Sequence, residues 1–320
     1  MSVFLARRLA SFVLTLLVAS LVVFGALELL PGNAAQLMLG ATATPEAVAA
    51  LEHQLGLDRP AAARYLAWIG GLVAGHGGDS YFYGQPSFEL IAERLEVTLP
   101  LALLAMALAA LLALALGVFA AARHNRLGDV AVMALSQAGL AVPSFWLAIL
   151  LILLFAVRLQ WVGAGGFPGW READGGGLLP GLAALALPVL SLAVVQAAIL
   201  ARVTRSAVLE ALREDYVRTA RAKGLGRRAV LWRHVLRNAL LPVLTVAGLQ
   251  FANLLTGTIV VENVFVLPGL GRLVFQAIAN RDLPLVRDIV IVLAAAVIVL
   301  NLLVDLAAAW IDPRLRTVAR

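Results

Sequence analysis

The sequence contains no cysteine, so it can form no disulfide scaffold, no thiolate metal site and no cysteine nucleophile. It is also poor in charge and in aromatic residues, at 14% and 7% of its 320 residues. So little charge cannot coat a water-soluble domain, and so few rings leave little material for a cofactor pocket. No Gly-x-x-x-x-Gly-Lys-Ser/Thr run occurs, so the chain lacks that phosphate-cradling loop and any nucleotide must bind elsewhere. Gly224-Leu-Gly226 and Gly269-Leu-Gly271 follow no strand and read as turns. His53, His76, His124 and His234 are widely separated and no His-Glu-x-x-His exists, so we expect no metal site and no catalytic residue.

What the chain has instead is apolar surface: 62% of its residues are hydrophobic and its mean hydropathy is +0.93. Lipid is the solvent that such a composition requires. Apolar stretches long enough to cross a hydrocarbon core, which takes about 20 helical residues, occur at 9–30, 99–122, 130–157, 180–201, 241–261 and 287–311. These predict an all-α, polytopic membrane protein of six transmembrane helices, because a helix satisfies its own backbone amides in lipid.

An even number of spans puts both termini on one side. The connections that share that side, among them Arg7, Arg8, Arg123, Arg126 and the basic run from Arg202 to Arg237, hold about twice as many basic residues as the opposite set, which makes the termini cytoplasmic. The net charge of +6 thus has a topological cause, and no nucleic-acid partner is expected. The first apolar run follows Arg7 and Arg8 but is too long for a signal peptide and lacks a clear cleavage site, so it reads as an uncleaved helix.

The domain organisation read from these runs is an N-terminal tail and first span over 1–30, an outer helical segment over 31–98, a five-helix core over 99–311 that includes the cytoplasmic loop 202–240, and a tail over 312–320. In the outer segment, Thr44-Pro45-Glu46 predicts a helix start, and a second amphipathic helix spans 61–73 before Gly75, Gly77 and Gly78 break the pattern. This segment reads either as a cap on the membrane surface or as a docking surface for a soluble partner. Pro143 and Pro188 fall inside spans and predict kinks.

The loop 202–240 is polar enough to stay out of lipid yet strongly helix-forming. A helix is predicted over 206–223, with Gly224 as its left-handed C-terminal residue and Arg221 and Lys223 at the negative end of its dipole. A second helix is predicted from Arg227 to Asn238 with Trp232, Val235, Leu236 and Ala239 on its apolar side, and Pro242 marks the start of the fifth span. Ala220, Ala222 and Gly224 form a small-residue stripe that lets another surface approach. From composition alone, such a basic knob serves equally as a contact with anionic lipid or as a protein-docking element.

The run Asp215-Tyr216-Val217-Arg218-Thr219-Ala220-Arg221-Ala222-Lys223-Gly224-Leu225, followed by Arg237-Asn238-Ala239-Leu240-Leu241-Pro242, resembles the coupling loop of ABC permeases for dipeptides, oligopeptides, glutathione and nickel. The resemblance extends along the chain through Leu30-Pro31-Gly32-Asn33, Leu55-Gly56-Leu57-Asp58-Arg59-Pro60, Val142-Pro143-Ser144-Phe145-Trp146, the run from Val266 to Leu273, Asn280-Arg281-Asp282, Leu302-Leu303-Val304-Asp305 and Asp312-Pro313-Arg314, all similar to the first permease subunit of that group. Arg218, Thr219 and Ala220 stand where the wider importer pattern has Glu-Ala-Ala, a departure that the peptide/nickel group shares.

The resemblance implies the type I ABC importer fold in a multi-pass protein of the bacterial inner membrane. It also implies a second homologous permease subunit, two cytoplasmic ATPase subunits that hold ATP and Mg, a periplasmic substrate-binding protein, and no cofactor in this chain. Function is then ATP-driven peptide import by alternating access, with nickel or glutathione as alternative cargo. The residues that would couple to the ATPase are Asp215, Tyr216, Arg218, Thr219, Ala220, Arg221, Ala222, Lys223 and Gly224.

Polar residues inside spans, namely Gln137, Ser144, Gln196, Gln250, Asn253 and Thr256, are candidates to line a path or to bond neighbouring helices. Two rivals fare worse. An ATP-independent carrier with inverted repeats finds no internal repeat, and an intramembrane enzyme finds Glu28, Glu262 and Asp305 near span ends and Ser136 and Ser191 without a histidine at their depth.

Overall fold

In the computed structural model, residues 2–29, 34–40 and 43–311 are described. The quoted motifs at 30–33 and 312–314 and the tail 312–320 lie outside them. The described chain is helical almost throughout, with a lone bridge between Asp79 and Pro86 and no strand among these residues. The helices are α1 (Ser2–Glu28), α2 (Ala34–Leu39), α3 (Pro45–Leu55), α4 (Ala61–Val73), α5 (Ser87–Ala122), α6 (Leu127–Ala141), α7 (Ser144–Leu151), α8 (Leu178–Ala211), α9 (Asp215–Ala222), α10 (Arg227–Ala229), α11 (Leu236–Val264), α12 (Leu270–Ala279) and α13 (Leu283–Ile311). Wider-wound π segments follow α7 over Ile152–Arg158 and join α10 to α11 over Val230–Val235.

Among the described residues, five helical stretches are long and apolar enough to cross a membrane: Leu9–Glu28, Ser87–Ala122, Leu178–Ala211, Arg227–Val264 and Leu283–Val304. The third predicted span differs from a kinked rod. It is two helices, Leu127–Ala141 and Ser144–Arg158, set at 98°, and counts as a sixth span if the pair is taken as one. Proline both lacks a donor and pushes the residue before it out of the helical region. Val142 (φ −93°, ψ 119°) and Pro143 (φ −62°, ψ 139°) are accordingly both extended, which is a break where the sequence predicts a bend. Pro188, by contrast, is accommodated inside α8, where Ser191 Oγ donates to the Pro188 carbonyl at 2.8 Å.

The chain forms two compact units. One comprises Thr98–Pro268 with the stretch from Leu300, and the other Ser2–Val97 with Gly269–Val299. In the first, α5 lies on α8 through alanines: Ala109 meets Ala193 and Ala197, and Ala113 meets Leu200 and Ala201. Small residues let backbones approach closely where no hydrophobic force drives helices together. Gly117 continues this close approach to α8, since an added Cβ would fall 2.7 Å from the Ala201 carbonyl oxygen and 2.6 Å from Thr204 Cβ.

In the second unit, Thr44 caps α3 by accepting the Ala47 N–H at 3.3 Å, and α4 occupies the 61–73 range predicted. Phe24, Tyr65 and Trp68 fasten α4 to α1, with centroids 5.4 to 6.3 Å apart, and Tyr65 shares a 2.8 Å hydrogen bond with Ser20. The loop after α4 is fastened by two buried aspartates. Asp282 accepts from the Ser80 hydroxyl and from the Tyr81 and Phe82 amides, and Asp288 accepts from Trp68 Nε1 at 2.7 Å and the Gly78 amide at 2.8 Å. Burial pushes the Tyr81 phenol above its ordinary pKa, against the opposing field of Arg287.

Gly117→Ala is expected to destabilise the first unit by roughly 1–3 kcal/mol, the usual cost of overpacking, seen as a lower thermal midpoint in detergent. Gly25→Ala, where an added Cβ meets nothing within 4 Å, should leave the midpoint unchanged or raise it.

Candidate functional site

The elbow between α8 and α11 is built by one apolar cluster. Val217 and Ala220 of α9 pack with Val118 and Ala121 of α5, with Ala207, Val208 and Ala211 of α8, and with Val230, Val235, Ala239 and Val243 beyond the turn. Val217 is fully buried, and burying such a side chain contributes roughly 2 kcal/mol. This cluster explains where the first predicted helix breaks. A straight run over 206–223 would carry Val217 away from α8, so the chain turns at Leu212–Glu214 and α9 starts afresh at Asp215.

The end of α9 is closed by a paired backbone cap. The Leu225 amide donates to the Ala220 carbonyl at 3.3 Å and the Gly224 amide to the Arg221 carbonyl at 3.0 Å, with Gly224 at φ +82°. This is the Schellman arrangement, which requires the left-handed residue that glycine adopts most cheaply. Asp215 stands in the first turn and Arg221 in the last, each suited to its end of the helix dipole. Asp215 and Arg218 pair at 3.0 Å but are exposed, so the pair adds little stability.

The remaining residues predicted for this site face outward. Tyr216, Arg218, Thr219, Arg221, Ala222, Lys223 and Gly224 are exposed, and basic side chains outnumber acidic ones around them. Ala220 is the exception: it is buried in the cluster, so the small-residue stripe presented outward is Ala222 and Gly224 alone. The second predicted helix also differs. Arg227–Ala229 runs through the π segment into α11, so the far arm of the elbow and the following span are one rod, and Pro242 lies inside it rather than at its start. Val230 takes the buried place predicted for Trp232, which is 63% exposed, because the wider π winding shifts the phase of the side chains.

The polar residues predicted within the spans are only partly brought together. Gln250 and Asn253 hydrogen-bond along α11 at 3.2 Å, and Asn253 and Thr256 are exposed. Gln196 is buried in α8, and its Oε1 has no hydrogen-bond partner. Gln137 is exposed on α6 and Ser144 opens α7 half-buried, so neither joins the α11 pair. Glu262 is buried and accepts from the Thr98 hydroxyl at 2.6 Å.

Sequence reading missed a second anchor. Asp129, 2% exposed at the start of α6, accepts from Arg205 Nε at 2.5 Å and Nη2 at 2.7 Å, and from the Asn125 amide at 2.9 Å. His124 Nδ1 lies 3.2 Å from the same guanidinium. This fork ties the α5–α6 turn to α8 two turns before the elbow. Its signal was faint: Arg205 reads as one of many basic residues on this side, and its partner lies 76 positions away.

Two family models match the chain. The description "Binding-protein-dependent transport system inner membrane component" matches residues 113–317, and "Binding-prot-dependent transport system membrane comp, N-term" matches residues 1–102. The chain is 38% identical to "Probable peptide ABC transporter permease protein y4tP" of Sinorhizobium fredii over 99% of this chain and 100% of that one. It is likewise 38% identical to "Di/tripeptide transport system permease protein DppB" of Pseudomonas aeruginosa over 98% of each, and 39% identical to "Glutathione transport system permease protein GsiC" of Salmonella choleraesuis over 97% of each. Among solved structures, "Crystal structure of an amino acid ABC transporter with histidines" shares the fold, with a TM-score of 0.50 at 18% identity, covering 71% of this chain and 94% of the other.

Asp129→Ala, which leaves Arg205 without its carboxylate, should cost roughly 3 kcal/mol, the low end for breaking a buried pair because Arg205 is partly exposed. The double change Asp129→Leu with Arg205→Met should recover most of the loss in a thermal-unfolding series. Equal midpoints for the single and double variants would show that the fork does not hold the turn.

Proposed function

Since the chain belongs to the family of binding-protein-dependent inner-membrane transport components, we propose that it is the permease subunit of an ATP-driven peptide importer and that its α9 elbow is the element an ATPase subunit grips. The protein is a multi-pass component of the inner membrane and a transport subunit by family. The finer reading adds a second, homologous permease subunit, two cytoplasmic ATPase subunits that bind ATP and Mg, and a periplasmic binding protein that delivers cargo. Both termini and the elbow then lie in the cytoplasm, in keeping with the density of basic residues there.

The observation that carries this reading is the division of labour within α9. Its inner face, Val217 and Ala220, is sunk in the cluster shared with α5, α8 and α11, while Tyr216, Arg218, Thr219, Arg221, Ala222 and Lys223 are left outward. A push on the outer face reaches α8 and α11 through packed side chains, because a buried cluster at crystal-like density transmits displacement with little compression. Alternating access follows when the ATPase subunits close and draw the elbows together. Gln250, Asn253 and Thr256, spaced three apart along α11, are the polar face offered to the path, since polar groups in spans turn toward a protein or aqueous interior. Peptide cargo is favoured over glutathione or a nickel chelate by the names of the peptide-permease relatives.

In vesicles holding the complete transporter with its binding protein, Gly224→Val should strain the left-handed position and cut uptake at least about tenfold while ATP hydrolysis continues, because a branched residue there costs over 1 kcal/mol. Gly224→Asn, which tolerates that conformation, should keep most of the coupling. Full uptake by the valine variant, or uptake that needs no ATPase subunit, would overturn the reading.

A further inference from the structure

The unit formed by Ser2–Val97 and Gly269–Val299 contains a half-open cavity of about 280 Å³ that the transport reading does not use. Its walls carry Arg59, Arg64, Arg287 and His76 against a single carboxylate, Glu28. Glu28 pairs with Arg64 Nη2. Asp288, next to Arg287, is already spent on Trp68 Nε1 and the Gly78 amide, and its nearest approach to Arg287 Nε is 3.9 Å, beyond hydrogen-bond reach. Arg287 Nε is buried with no hydrogen-bond partner, and the guanidinium lies over the Trp68 ring at 5.1 Å. An added Cβ at Gly78 would come 2.8 Å from Arg287 Nη2, so the absence of a side chain there keeps the guanidinium uncovered. The cavity therefore holds forked cationic donors in excess of their carboxylates, which is the chemistry that recognises a phosphate.

Its position selects the kind of phosphate. The apolar stretch Leu9–Glu28 ends at this cavity and the stretch Leu283–Val304 begins at it, so it opens at the level where hydrocarbon gives way to headgroups. Along α1 from the same edge, Val22, Leu21, Val18, Leu17 and Leu14 are exposed, a track an acyl chain can follow and a water-soluble anion has no use for. We propose that this cavity seats the phosphodiester headgroup of an anionic phospholipid, with its acyl chains along α1.

The test is lipid retention by the intact transporter purified in detergent, followed by native mass spectrometry during titration with phosphatidylglycerol, phosphatidylcholine or glycerol phosphate. We expect preferential retention of phosphatidylglycerol, no displacement by glycerol phosphate at equal concentration, and roughly a fivefold loss of affinity on Arg64→Gln, the ratio one basic side chain is worth near anionic lipid. Because Arg64→Gln also removes the Glu28 pair, the exposed Arg59→Gln serves as the second variant and should weaken retention without changing the thermal midpoint. Equal retention of the two lipids would overturn the proposal, as would full displacement by glycerol phosphate, which marks a soluble-anion site. Unchanged lipid retention in both variants together with weaker capture of the binding protein would assign the arginines to a protein contact and overturn it as well.

Discussion

A peptide group in hydrocarbon has no water to bond, so each must find its partner within its own segment, and every other feature of this chain is arranged around that rule. The rule makes the long stretches helical, and it confines departures from the helix to places where the freed groups are recaptured. Among the described residues five helices end in the same paired cap: α3 at Gly56, α4 at Gly75, α9 at Gly224, α11 at Val266 and α12 at Arg281, each with a six-to-one amide bond between 2.8 and 3.3 Å. Three of these caps use glycine at no steric cost. Val266, at φ 54°, is a β-branched residue held in a region that costs about 1 kcal/mol or more. The residue before it bonds onward to the loop, where the Gly166 amide donates to the Phe265 carbonyl at 2.8 Å.

Polar anchors supply what lipid cannot. Between two apolar helices in a bilayer there is no hydrophobic drive to associate, so position is set by close backbone approach and by a few strong hydrogen bonds. The Asp129–Arg205 fork does this in one unit and the Asp282 and Asp288 carboxylates in the other. Each acidic group accepts from several donors, which is what makes a buried carboxylate tolerable at all. The elbow stands apart: the outer face of α9 is polar and exposed, and the ordinary burial of Val217 and Ala220 does the holding.

Much of this was legible in the residues. Apolar runs gave the spans, Thr44-Pro45 gave the start of α3, and Gly224 gave the end of α9, because each rests on local physics that a short window contains. What the sequence did not disclose is non-local. The break at Leu212–Glu214 follows from where Val217 must pack, the exposure of Trp232 from a change of winding, and the Asp129–Arg205 fork from a partner 76 residues away. The 98° break at Val142-Pro143 lies between these cases: proline announced a disturbance, but its size depends on both residues turning extended. Several of the resembling motifs, those at 55–60, 142–146, 266–273 and 280–282, lie at turns or helix ends, where backbone geometry restricts the residue allowed.

The π segment over Val230–Val235 places one more residue in its turn than an α-helix would. Downstream of it, every side chain of α11 owes its compass bearing to that surplus residue. Deleting a single position there would restore regular winding but swing Asn253, Thr256 and Glu262 about 100° around the rod axis. The stretch between elbow and span is thus a fixed count of residues, one that tolerates exchange of side chains far better than any change of length.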